Sequence, residues 1–150
     1  MYIERYRTKG APLDPVSETD RPVVLLVEDE PLVRMLAADI LQEAGFEVTE
    51  AATAPEALNH LERSDDVRVV FTDVDMPGGM NGLELARIVH ARWPHIALVV
   101  TSGVCRPSAD QLPDHGVFVG KPYAPQAPVQ AIRGLIQQQL GAGDARTSEG

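Results

Sequence analysis

Val23-Val24-Leu25-Leu26-Val27-Glu28-Asp29-Glu30 is the stretch that decides how this sequence folds. Five apolar residues follow one another with no polar alternation, the pattern of a strand covered on both faces, as in a parallel sheet packed between helices. The acids that end the run sit where such a strand leaves the sheet. Beyond them Val33, Leu36, Ala37, Ile40, Leu41 and Ala44 recur at helical spacing, and Gly45 stands where a left-handed cap is needed. Residues 46–51 read as a second strand, and Thr53-Ala54-Pro55-Glu56 has capping-box spacing before Ala57, Leu58 and Leu61. Residues 67–72 give a third strand, 83–93 a helix stopped by Pro94, 96–100 a fourth strand and 117–119 a fifth. A last helix over 126–140 presents Val129, Ile132, Leu135 and Ile136 to a core. Strands alternating with helices in this way predict an α/β fold, a doubly wound five-stranded parallel sheet.

One connection breaks the alternation. Between the fourth and fifth strands, Pro107 and Pro113 bracket Ser108-Ala109-Asp110-Gln111-Leu112. Proline costs about 3 kcal/mol inside a helix, so a fourth helix here is short or irregular.

The chain has 150 residues, with 22 Asp plus Glu against 13 Lys plus Arg and a formal charge of −9. That size predicts one domain with a core of its own. Residues 1–21 are rich in Gly, Pro, Ser and Thr without periodicity and read as a flexible leader, 22–140 as the folded unit, and 141–150 as a flexible tail. The lone Cys105 excludes an internal disulfide and points to a reducing, cytoplasmic setting. No apolar run reaches the ~20 residues of a membrane span. The acidic balance argues against nucleic acid and anionic lipid as partners, and for a bound cation or partners with basic patches.

In an open parallel sheet, ligands bind beyond the carboxyl ends of the strands. Those ends carry Glu28, Asp29 and Glu30 after the first strand, Asp73 and Asp75 after the third, Thr101 and Ser102 after the fourth, and Lys121 after the fifth. Two carboxylates about 4 Å apart repel by roughly 4 kcal/mol at the effective dielectric of a protein surface, so this rim needs positive charge. Lys121 brings one unit; a hard divalent ion held by oxygens, such as Mg²⁺, brings two. Acids, a hydroxyl, an ammonium and a metal suit phosphoryl transfer to a carboxylate. Asp73 is the nucleophile candidate, since Met76-Pro77 turns the chain away and leaves it exposed at the rim.

These residues are similar, over about 22–140, to the receiver domain of two-component response regulators. Leu25-Leu26-Val27-Glu28-Asp29-Glu30 resembles that family's acidic pair, Asp73-Val74-Asp75-Met76-Pro77 its phosphoacceptor turn, Thr101 its switch hydroxyl and Lys121-Pro122 its lysine-proline. The resemblance implies a flavodoxin-like strand order of 2-1-3-4-5 and a cis bond before Pro122. It implies that Asp73 accepts phosphate from a histidine kinase or histidine phosphotransferase. Mg²⁺ would be held by the side chains of Asp29 and Asp73, the backbone carbonyl of Asp75, and Glu28 through water. Lys121 would pair with the phosphoryl group, Thr101 would hydrogen-bond it, and Phe118 matches the aromatic that changes rotamer with it.

Three features depart from the family pattern. Glu28 stands where Asp is commoner, the turn from Pro77 to Gly82 is one residue longer, and the proline-broken segment from 103 to 116 puts the usual output face in doubt. Too few residues follow Lys121 for an output module, so a stand-alone receiver that acts by protein contact or drains phosphate from a relay is expected. Two other readings compete. Asp73-Val74-Asp75 could be the Asp-x-Asp of a haloacid-dehalogenase-like phosphohydrolase, although that motif follows a first strand; or the chain could be a pseudo-receiver that is never phosphorylated. His60, His90, His95 and His115 share no metal-ligand spacing and read as surface or packing residues, Cys105 as a passive thiol, and Trp93 as helix-end packing.

Overall fold

The computed structural model describes residues 21–104 and 106–149, with side chains as far as Leu140. The leader expected over 1–21 and the thiol of Cys105 therefore lie outside the described residues, Arg21 apart. Five strands, β1 (Val23–Val27), β2 (Glu47–Ala51), β3 (Val67–Asp73), β4 (Ala97–Ser102) and β5 (Val117–Gly120), form one parallel sheet in the order β2-β1-β3-β4-β5. Helices α1 (Pro31–Glu43), α2 (Ala54–Arg63), α3 (Gly82–Arg92) and α4 (Gln126–Glu149) make the crossovers and cover the sheet.

The apolar run of β1 alternates between two cores, as a period of two requires. Val23, Leu25 and Val27 pack with Ala57, Leu61, Leu85 and Val89 of α2 and α3. Val24 and Leu26 pack on the other face with Ala37, Ala38 and Leu41 of α1 and Ile132 and Leu135 of α4. Leu25 is fully buried, so Leu25→Ala would cost about 2–5 kcal/mol through lost transfer and a cavity.

Local chemistry sets the helix ends. Pro31 opens α1, where its missing N–H is no loss. Gly45, at φ 100°, closes it: Gly45 N–H donates to Gln42 and Phe46 N–H to Leu41, which satisfies two terminal carbonyls. The capping box expected at α2 is half present, because Thr53 accepts from Glu56 N–H while the Glu56 carboxylate accepts from Ala52. Asn81 and Glu84 make the reciprocal pair at α3.

Among its described residues the Pro-broken connection holds one short 3₁₀ helix, Ala109–Gln111, amid bends and a turn at 114–115 where His115 takes a φ of 67°, in place of a fourth crossover α-helix. Helix α4 continues to Glu149, past the expected end at Leu140. Leu36 is a correction: it belongs to the expected buried stripe of α1 but is 61% exposed. Ala37 and Leu41 of the same stripe are buried as expected, and Ala38 takes the sheet-facing place beside them; small side chains let the helix approach closely, and Leu32, Met35 and Leu36 point outward.

Candidate phosphoacceptor and metal site

The carboxyl ends of β1, β3, β4 and β5 bring Glu28, Asp29, Asp73, Asp75, Thr101 and Lys121 to one rim, which is where the sequence reading puts them. The two central strands are paired Asp73 to Thr101, and Val74 N–H donates to the Thr101 carbonyl at 2.8 Å. Lys121 leaves β5 through a cis bond to Pro122. Its Nζ reaches Asp73 Oδ2 at 3.1 Å and Glu28 Oε1 at 3.4 Å. Glu28, Asp29 and Asp73 each offer a carboxylate oxygen within 4.8 Å of the others. The longer arm of Glu28 is taken up by a hydrogen bond from Glu30 N–H to Oε2.

Asp73 is not exposed, contrary to the reading of the turn at Met76-Pro77: it is 6% accessible. Val74 and Met76 tuck inward and Lys121 lies against the carboxylate, while Asp75 N–H donates to Oδ1. Thr101 Oγ1 is buried with no hydrogen-bond partner among the described residues. An unsatisfied hydroxyl costs about 1–3 kcal/mol, and it borders the same small cleft as Glu28, Asp73 and Tyr123.

The charges are coupled. Burial pushes the Glu28 carboxyl above its ordinary range, helped by the charge of Asp73 and opposed by the Glu30 amide and Lys121. Burial works against the Lys121 ammonium, but the hydrogen bond and charge of Asp73, with Glu28, outweigh it and raise its pKa. Burial also raises the Tyr123 phenol.

Sequence reasoning undervalued Ser102. Its hydroxyl donates to Asp75 Oδ2 at 2.6 Å and accepts from Val104 N–H at 3.2 Å, tying the loop after β3 to the loop after β4. β4 runs through Ser102 rather than ending at Val100 as the sequence reading predicts, which sets the hydroxyl at the rim beside Asp75. Gly82 was also missed, although Asn81-Gly82 at a helix start is visible in the sequence. Phe118 is half-buried with the Arg106 guanidinium 5.2 Å from its ring centre. The histidines do not join the rim: His90, His95 and His115 line a cleft of about 310 Å³ that also borders Ala97, at the start of β4. No metal-binding group among the described residues includes a histidine.

Residues 24–133 match the family described as the response regulator receiver domain. The chain belongs to that family. It is 35% identical over 120 residues to the sensor kinase CckA of Brucella abortus, covering 77% of this chain and 13% of the kinase. It is 32% identical over 129 residues to a chemotaxis protein CheY homologue of Campylobacter jejuni, covering 81% of this chain and 98% of that protein. Among solved structures it is similar to the response regulator TrrA of Thermotoga maritima in complex with Mg²⁺ and BeF, with a TM-score of 0.67 and 25% identity over 76% of this chain and 98% of that one. The chain is thus a two-component receiver domain, although it spans only a small part of the sensor kinase it matches. No helix among its described residues is long and apolar enough to cross a membrane.

Proposed function

We propose that this receiver accepts a phosphoryl group on Asp73 from a histidine kinase or histidine phosphotransferase. The observation that carries the reading is the Lys121 ammonium held 3.1 Å from Asp73 Oδ2 beside the unpartnered Thr101 hydroxyl. An Asp73 oxygen forms the new P–O bond as the P–N bond of a phosphohistidine breaks, and the imidazole leaves with the electron pair. The ammonium stays on the side of the transferring oxygens and offsets their charge. Thr101 Oγ1 gains in the phosphorylated state the hydrogen-bond partner it otherwise lacks, and this draws the loop after β4 inward. Phe118 changes rotamer with it, released from Arg106.

The donor set fits Mg²⁺: hard carboxylate oxygens, close together, with too few of them for an all-protein cage. Asp29 and Asp73 would hold the ion by side chain, Asp75 by its backbone carbonyl and Glu28 through water. When bound, the metal supplies charge neutralisation for the transferring group. The phosphorylated surface then acts by contacting another protein, or the domain serves as an intermediate or sink in a relay; the CheY homologue matched over nearly its full length supports a single-domain mode of action.

Acetyl phosphate with Mg²⁺ tests the reading by intact mass. A gain of one phosphoryl group that disappears in Asp73→Asn is expected. Continuous phosphate release would favour a phosphohydrolase instead, and an unchanged mass a pseudo-receiver.

A further inference from the structure

Arg34 lies in the first turns of α1 and is used by nothing described so far. Its guanidinium Nη1 donates to the backbone carbonyl of Glu28 at 2.8 Å, and its Nε pairs with Glu50 Oε1 on β2 at 3.1 Å. The side chain is mostly buried, while Glu50 is half exposed. The carbonyl it grips belongs to the peptide group that joins Glu28 to Asp29. On the near side of Glu28, its own N–H donates to Ala51 at 3.0 Å; on the far side, Glu30 N–H donates to the Glu28 carboxylate. β1 has already ended at Val27, so beyond the Ala51 bond the sheet ladder no longer holds this backbone. Arg34 supplies the restraint that the ladder drops.

We propose that Arg34, itself held by Glu50, is a positioning residue that presets the Glu28–Asp29 peptide, so that the affinity of the acidic cluster for a divalent cation depends on a guanidinium outside it. The inference rests on the reading that Glu28, Asp29 and Asp73 take up Mg²⁺. The planar fork grips the Glu28 carbonyl through Nη1 and the Glu50 carboxylate through Nε, two separated donors in fixed geometry; a lysine brings the same charge on one nitrogen without that geometry.

The two effects of Arg34 have opposite signs, and this makes the role separable. As a positive charge it repels Mg²⁺, so deleting the charge alone would tighten binding. As a clamp it orders the ligands, so deleting it weakens binding, and groups that orient metal ligands typically change affinity by about 10-fold or more. Calorimetric titration of the full chain with Mg²⁺, comparing wild type with Arg34→Gln and Arg34→Lys, reads the difference directly. A dissociation constant raised about 10-fold in Arg34→Gln is expected, together with a weakening in Arg34→Lys that cannot come from charge. Amide hydrogen exchange at Asp29 without metal is expected to quicken in both variants. Equal or tighter Mg²⁺ binding by folded Arg34→Gln overturns the inference, and unchanged binding by Arg34→Lys does so if Arg34→Gln fails to fold. A wild type that takes up no Mg²⁺ overturns instead the reading beneath it.

Discussion

Gly82, the first residue of α3, rests against the backbone carbonyl of Asp73 so tightly that a β-carbon at Gly82 would collide with that oxygen and with Val74. The helix start and the Asp73 backbone are therefore in direct contact, joined also by the bond from Gly82 N–H to the Val74 carbonyl. Because the obstacle is backbone, it cannot rotate away. Gly82→Ala is expected to destabilise the fold by about 1–3 kcal/mol, the usual range for overpacking, and to slow phosphoryl uptake by displacing Asp73. Denaturant unfolding and the acetyl phosphate assay check the two effects; a variant as stable as wild type would show that the helix start can move.

Lys121 answers for the repulsion between Glu28 and Asp73. Its removal in Lys121→Met leaves two buried acids facing each other. Truncating one partner of a fully buried pair costs about 3–5 kcal/mol, and since part of this lysine reaches solvent, a loss of about 1–2 kcal/mol is expected without metal. Added Mg²⁺ should recover much of it, because ligand binding to the folded state stabilises by mass action. Thermal melts with chelator and with Mg²⁺ measure the gap, and a deficit that Mg²⁺ leaves untouched would contradict the shared neutralising role.

Glu28 makes stability depend on pH in a defined sense. Its pKa in the fold is raised above the ordinary 4.5, so between those values the folded chain holds a proton that the unfolded chain has lost. Stability contributed by this group therefore falls as pH rises through that window and stays lower above it. Glu28→Gln in chelator is expected to melt higher than wild type near neutral pH, with the advantage shrinking as pH falls through that window and gone below about 4.5. Lys121 acts at the other end: with its pKa raised, its contribution is complete below 10.5 and disappears as pH climbs through its folded value.

Leu32, Met35 and Leu36 form an exposed apolar surface at the start of α1, 69%, 52% and 61% accessible, in the turns that follow Glu28 and Asp29. Whether a phosphohistidine protein uses this edge to reach Asp73 is separable by mutation, because acetyl phosphate need not touch it. Leu32→Ser with Met35→Ser is expected to leave uptake from acetyl phosphate within about twofold of wild type while cutting transfer from a phosphohistidine protein by about 10-fold, a loss of roughly 1.4 kcal/mol of docking. Equal losses with both donors would assign these residues to the fold instead.

The order of elements and the chemistry of the rim were legible in the chain itself. An unbroken run such as residues 23–27 has few environments other than a strand covered on both faces, and acids placed at the ends of successive strands must meet wherever those strands lie parallel. Local signals served equally well at Gly45 and Thr53, because caps are made by neighbours a few residues apart. What no one-dimensional pattern specified is how these elements turn and lean on one another. Periodicity placed both Leu36 and Ala37 with the core of α1, but only Ala37 is buried, and Ala38 joins it on the sheet face, where small side chains allow helix and strand to approach closely. The turn at Met76-Pro77 suggested an exposed Asp73, while Lys121, distant along the chain, covers it. The bond from Ser102 to Asp75 likewise ties the loop after β4 to the loop after β3, while Arg34 and Gly82 reach back from the starts of α1 and α3 onto the backbone at the ends of β1 and β3. Such contacts depend on the rotation and separation of whole elements, which only the packed molecule determines.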